Sequence, residues 1–198
     1  MLPFLGALAI AAGAIFVAEF GDKSQLLVLA FATRHAALPV IAGITVAAAT
    51  IQGVSVAIGA AVGAVLPETM LGVVAGLAFL GVAAWTLRGD DHHEEEQTAG
   101  ATRHRTGLGL AALVATTFMV GELGDKTMLA TFALAARQDA FATWIGATGG
   151  MVAANLVAVA VGRQLGARLS PRLVRIGSAI LFAAAGLLLI GTALLGDA

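Results

Sequence analysis

Apolar residues run through this chain in six long stretches with scarcely a polar break, at about Leu2–Ala32, Leu38–Leu66, Thr69–Leu87, Thr106–Ala136, Ala140–Leu169 and Leu173–Leu195. Each is close to or beyond the length a bilayer-crossing helix needs, about 20 residues. None alternates apolar and polar residues as a barrel strand does. The predicted fold class is an all-α membrane protein of six transmembrane helices. The first and fourth stretches run to about 30 residues, or ~45 Å of helix, which exceeds the hydrocarbon thickness. A tilt or break has to absorb the excess. Gly21 and Gly124, each flanked by acids, are where the helix is expected to loosen.

The six stretches are one unit of three, written twice. Glu19-Phe20-Gly21-Asp22-Lys23-Ser24 returns as Glu122-Leu123-Gly124-Asp125-Lys126-Thr127, a shift of 103 positions. The same shift carries Arg34 onto Arg137, Gly43 onto Gly146, Gln52 onto Asn155, Gly59 onto Gly162 and Phe79 onto Phe182 without a gap. The domain organisation is therefore a first three-helix repeat at 1–87, a polar linker at 88–105 and a second three-helix repeat at 106–198. Because three is odd, the units enter the membrane from opposite sides as inverted-topology repeats. Such repeats place their binding site near the bilayer midplane. The first eighteen residues lack the basic start of a signal peptide and correspond to an internal segment of the second unit, so they are expected to be retained.

Arginine sets the orientation. With six spans, Arg34, Arg88, Arg103, Arg105, Arg163, Arg168, Arg172 and Arg175 fall on one side and only Arg137 on the other. By the positive-inside rule the loops 33–38, 88–105 and 163–175 are cytoplasmic and both termini outside, in a bacterial inner membrane. The linker holds Asp90, Asp91, His92, His93, Glu94, Glu95, Glu96 and His104, a composition able to bind cytosolic metal. Its simpler reading is a solvated connector, because nothing fixes a coordination geometry. The G-x-x-x-G pairs Gly59/Gly63, Gly72/Gly76 and Gly162/Gly166 are read as close helix packing.

Composition agrees with the pattern: 59% hydrophobic residues, 12% charged residues and a mean hydropathy of +0.94 are too apolar for a soluble domain of this length. A formal net charge of −1 gives no footing for nucleic acid. With no cysteine, disulfides, thiolate metal sites and cysteine nucleophiles are excluded.

What remains is charge inside the membrane. An ionisable side chain at the bilayer centre costs roughly 2.5–3.5 kcal/mol even on the mildest scale. On an unbroken helix, Glu19, Asp22 and Lys23 would share one face, as would Glu122, Asp125 and Lys126. Four carboxylates against two lysines leave two negative charges, which protons or a divalent cation can balance. The inert alternative, lysines that merely neutralise their neighbours, leaves that deficit standing. Gln52 and Asn155 sit at equivalent mid-helix positions, and Gln25, Ser24 and Thr127 add oxygens beside the acids. Carboxylate, carboxamide and hydroxyl oxygens suit Mg, Ca and Mn, whereas copper or zinc would recruit cysteine or histidine, and all four histidines lie in loops. Met128 stands where the first copy has Gln25.

The duplicated E-x-G-D-K-[ST] motif, each copy on the first of three helices and separated by an acidic central loop, resembles the transmembrane protein 165 family, also called the GDT family, in its bacterial form. The resemblance spans essentially the whole chain. It implies a secondary transporter of Mn2+ or Ca2+ in exchange for protons, with no tightly bound cofactor. It also implies that Glu19, Asp22, Glu122 and Asp125 bind the cation, with Gln25, Ser24 and Thr127 completing the motifs. Met128 departs from the glutamine that usually ends the second copy. Lys23 and Lys126 are then counter-charges or part of proton coupling.

Three rival functions differ in the chemistry they require. A Ca2+/H+ antiporter uses the same oxygen ligands. An intramembrane lipid-phosphate hydrolase would need a phosphate clamp or a nucleophile with its base, yet every arginine lies near a loop or helix end. An amino-acid exporter would need a carboxylate-binding half-helix, which requires a break at Gly21 or Gly124.

Overall fold

The structure, a computed structural model, describes residues 2–20, 22–88, 107–165 and 171–195. The linker's acids and histidines therefore lie outside the described residues. So do Gly21 and the side chains of Lys23, Arg34 and Arg163. Among the described residues eight helices follow one another: α1 (Leu2–Glu19), α2 (Lys23–Arg34), α3 (Ala37–Gly63), α4 (Glu68–Arg88), α5 (Gly107–Glu122), α6 (Lys126–Ala135), α7 (Ala140–Leu165) and α8 (Pro171–Leu195). Among the described residues there is no strand.

The six apolar stretches thus hold eight helices, because the first and fourth are each broken in two. α3, most of α4 (Thr69–Arg88) and Ala140–Val157 of α7 are each long and apolar enough to cross a membrane. α5 and α6 together make a fourth candidate span, bent by 81° at their junction. Much of the outer surface is apolar, with Val46, Ile58, Leu187 and Leu188 exposed, as a lipid-facing surface requires. The chain is an all-helical integral membrane protein.

The halves are interwoven. α1 packs along α7, α5 along α3 and α4 along α8, while α2 meets α7 and α6 meets α3. Exchanging α1–α4 for α5–α8 leaves each of these pairings in place. The correspondence reaches single residues. A Cβ on Gly43 would stand 2.8 Å from Val114 Cβ, and one on Gly146 would stand 3.0 Å from Ala11 Cβ, the same contact shifted by 103 positions. Phe79 and Phe182, equivalents of each other, meet with ring centroids 5.6 Å apart, as residues do beside an axis relating two copies. Small residues let the helices approach, since lipid offers no hydrophobic drive for helix association. Gly59 and Gly63 of α3 lie against the backbone of Phe132 and Ala136, and so fix the far end of α6.

Candidate functional site

The helix breaks build the site. Leu123 N–H still donates to Met119 O at 3.0 Å, but Gly124 takes a left-handed φ of 79° and Asp125 an extended backbone (φ −77°, ψ 169°), so α5 stops and α6 starts afresh at Lys126. A glycine without a Cβ adopts that φ at no steric cost. Asp125 N–H donates to Glu122 O at 3.2 Å, closing a tight turn. The first half repeats these bonds: Phe20 N–H to Phe16 O at 3.0 Å and Asp22 N–H to Glu19 O at 3.1 Å.

The expectation of one helical face carrying both acids and the lysine is therefore overturned. Glu19 ends α1 and Glu122 ends α5, whereas Lys23 and Lys126 open the next helices. Periodicity of 3.6 cannot carry across a left-handed residue. The break instead sets Asp22 and Asp125 immediately before the N-terminal ends of α2 and α6, with their unshared N–H groups and positive dipole ends.

The acids from both halves come together. Lys126 Nζ lies 2.6 Å from Asp22 Oδ2, an ion pair between the second motif and the first. Glu122 sits in the field of Glu19, Asp125 and Asp22, with Lys126 the opposing charge. Glu19 Oε1 accepts from the Ser24 hydroxyl and, at 3.1 Å, from Asn155 Nδ2. Gln25 Nε2 donates to Ala154 O at 3.3 Å, tying α2 to α7 beside Asn155. Gln52 Nε2 is turned toward Met151 Sδ at 3.8 Å, one turn from Asn155. Thr127 is wholly buried on α6 next to Lys126. The side chain of Lys23 lies outside the described residues.

Several buried oxygens here have no hydrogen-bond donor. They include Glu19 Oε2, both oxygens of Glu122, Gln52 Oε1, Asn155 Oδ1 and Thr127 Oγ1. All are oxygens, the donor set of a hard cation. Leaving a buried polar group unmet is costly, so such a cluster needs a partner that carries positive charge. Among the described residues no group of three or more histidines, aspartates and glutamates is arranged to hold a metal ion.

Sequence reasoning missed Met151. It is fully buried, accepts from Gln52 through its sulfur, and offers its carbonyl to Asn155 Nδ2 at 3.0 Å. The signal was there: position 151 corresponds to Ala48, so a long side chain appears where the first copy has a methyl group.

The sequence profile of a family described as "Divalent cation/proton antiporter GDT1" matches the chain twice, over residues 7–94 and 110–197. A protein of Vibrio cholerae named "Putative manganese exporter" is 34% identical over 181 residues, covering 90% of this chain and 87% of that one. Protein PAM71 of the Arabidopsis thaliana chloroplast is 30% identical over 194 residues, covering 85% of this chain and 52% of the plant protein. GDT1-like protein 1 of the rice (Oryza sativa subsp. indica) chloroplast is 28% identical over 202 residues, covering 89% of this chain and 59% of its own length. The chain thus spans little more than half of these plant relatives. No solved structure matches it. Membership of a transporter family removes the hydrolase alternative, and the duplicated match with its paired acids leads to one conclusion: the chain belongs to the GDT1 family of divalent cation/proton antiporters.

Proposed function

We propose that this antiporter exports Mn2+ from the cytoplasm in exchange for protons, through a midplane site shared by its two halves. The observation that carries the proposal is Glu122, 1% exposed, with neither carboxylate oxygen hydrogen-bonded and three further acids in its field. Glu19, Asp22, Glu122 and Asp125 supply the charge that binds the ion. Gln25, Gln52, Asn155, Ser24 and Thr127 add neutral oxygens around it. The donor chemistry suits Mn2+ and Ca2+ alike. The description of the Vibrio relative favours Mn2+, and Ca2+/H+ exchange is the alternative.

In this reading the chain crosses the membrane six times as two inverted repeats, residues 1–87 and 106–198, joined by a cytoplasmic linker at 88–105 with both termini outside. A divalent ion displaces Lys126 from Asp22 and protons from the carboxylates. The halves then rock, the ion leaves on the far side, and protons return. Exchange of one Mn2+ for two H+ keeps the charge of the buried cluster constant, which a low-dielectric interior demands. The test is flux in proteoliposomes under an imposed pH gradient, comparing the wild type with Glu19→Gln and Asp125→Asn. Proton-coupled Mn2+ flux that both substitutions abolish is the expected result. Wild-type protein that moves neither Mn2+ nor Ca2+ against protons would overturn the reading.

A further inference from the structure

Hydroxyls on the apolar helices of this protein mostly find an acceptor on their own helix. Thr45 donates to Ile41 O at 2.8 Å, Thr50 to Val46 O at 2.8 Å, Ser55 to Ile51 O at 3.1 Å, Thr86 to Val82 O at 2.8 Å and Thr116 to Ala112 O at 3.0 Å. That back-bonding is how a hydroxyl is normally kept inside a membrane helix. Thr131 of α6 does not follow it. Its side chain is fully buried and its Oγ1 has no partner.

Thr131 comes four residues after Thr127, so the two hydroxyls lie one above the other on the same face of α6. Thr127 Oγ1 is equally buried and unpartnered, and it belongs to the motif beside the acids. Seven residues further on, just past the end of α6, Gln138 Oε1 is a third buried oxygen without a donor. A row of unmet oxygens therefore runs from the carboxylate cluster along α6 toward the loop before α7. The other half lacks its first two oxygens, although His35, the equivalent of Gln138, also keeps a buried Nε2 without a partner. There Ser24 is engaged by Glu19, and the position equivalent to Thr131 is Val28, also buried.

We propose that Thr131 lines the path of the transported cation, as the oxygen that the divalent ion or its retained water meets one helical turn beyond Thr127. The assignment rests on the cation/proton exchange reading above, and it adds a residue outside both motifs. A hydroxyl suits the role because it accepts from a coordinated water or ligates the ion directly, and releases either without a charge to overcome. It also makes the path one-sided: along α6 the next station is polar, while along α2 it is closed by the isopropyl group of Val28.

The experiment is Mn2+ flux driven by a pH gradient in proteoliposomes, measured for Thr131→Val, Thr131→Ser, Thr131→Ala, Thr143→Val and Glu122→Gln. Valine is near in shape and is what the equivalent position 28 carries. Thr143 is another fully buried, unpartnered hydroxyl, but it lies twelve residues before Asn155 on α7, about 18 Å along the helix. Thr131→Val is expected to cut flux about tenfold, with Thr131→Ser and Thr143→Val within about twofold of wild type and Glu122→Gln inactive. If Thr131→Val does not fold, Thr131→Ala against Thr131→Ser decides, since both are smaller and differ by the hydroxyl. Wild-type flux in Thr131→Val with Glu122→Gln inactive overturns this inference alone. An equal loss in Thr131→Ser or Thr143→Val also overturns it, as a packing effect. An active Glu122→Gln overturns the exchange reading itself and this inference with it.

Discussion

Glu19 and Glu122 occupy the same place in a duplicated unit, each ending a helix at a break, yet their surroundings differ. Glu19 is held by Ser24 and by Asn155 reaching across from the other half. Glu122 has no such partners. Thr127, the equivalent of Ser24, leaves it alone, and Gln52, the equivalent of Asn155, is turned toward the sulfur of Met151. The main helix pairings of the halves are matched, while the chemistry at their junction is not. A duplicated scaffold can keep its helix contacts and still make one acid a fixed support and the other an open ligand.

The largest effects should come from the two glutamates. Glu122→Gln is expected to cut proton-coupled flux by at least about 100-fold, since it removes a charged ligand. At a pH high enough to strip the proton from Glu122, it should raise the melting temperature in detergent, because a buried charge without donors disappears. Glu19→Gln should also lose flux but lower the melting temperature, because a charge-assisted acceptor for Ser24 and Asn155 is weakened. Thermal shifts of the same sign in both variants would erase the distinction.

The ion pair that crosses between the halves comes next. Lys126→Met should destabilise the protein by about 3–5 kcal/mol, by removing the Lys126 ammonium from Asp22. Adding Asp22→Asn should recover most of that loss in a double-mutant cycle, and no recovery would mean that the pair is not coupled. Packing symmetry gives a smaller test: Gly43→Ala and Gly146→Ala should each cost about 1–3 kcal/mol and match one another, since both press a methyl onto the same contact. Smallest is the carboxamide pair. Asn155→Ala should cost about 1 kcal/mol more than Gln52→Ala, because only Asn155 donates to a carboxylate.

Much of this was legible beforehand. Hydrophobic runs marked the outer ends of the described helices to within a few residues, though not as eight helices, and the shift of 103 positions paired Gly43 with Gly146. The acids, amides and hydroxyls of the candidate site stood out because each is out of place in lipid. The break itself was half legible. Gly21 and Gly124 marked where the helix would loosen, but helical spacing still suggested one shared face for acids and lysine. The left-handed turn at Gly124 overrides that spacing. The inequality of Glu19 and Glu122 was hidden because it depends on which donor reaches which acid across the interface. Ser24 against Thr127, Asn155 against Gln52 and Ala48 against Met151 were its traces in the sequence.

The central claim is that protons and a divalent ion compete for one set of buried carboxylates. It is tested most directly by adding Mn2+ to the purified protein in unbuffered detergent solution and reading proton release with a pH indicator. The account predicts saturable release of about two protons per Mn2+ bound, with apparent affinity falling as pH falls and no release from Glu122→Gln. Binding of Mn2+ with no proton release, or at an affinity indifferent to pH, would contradict it.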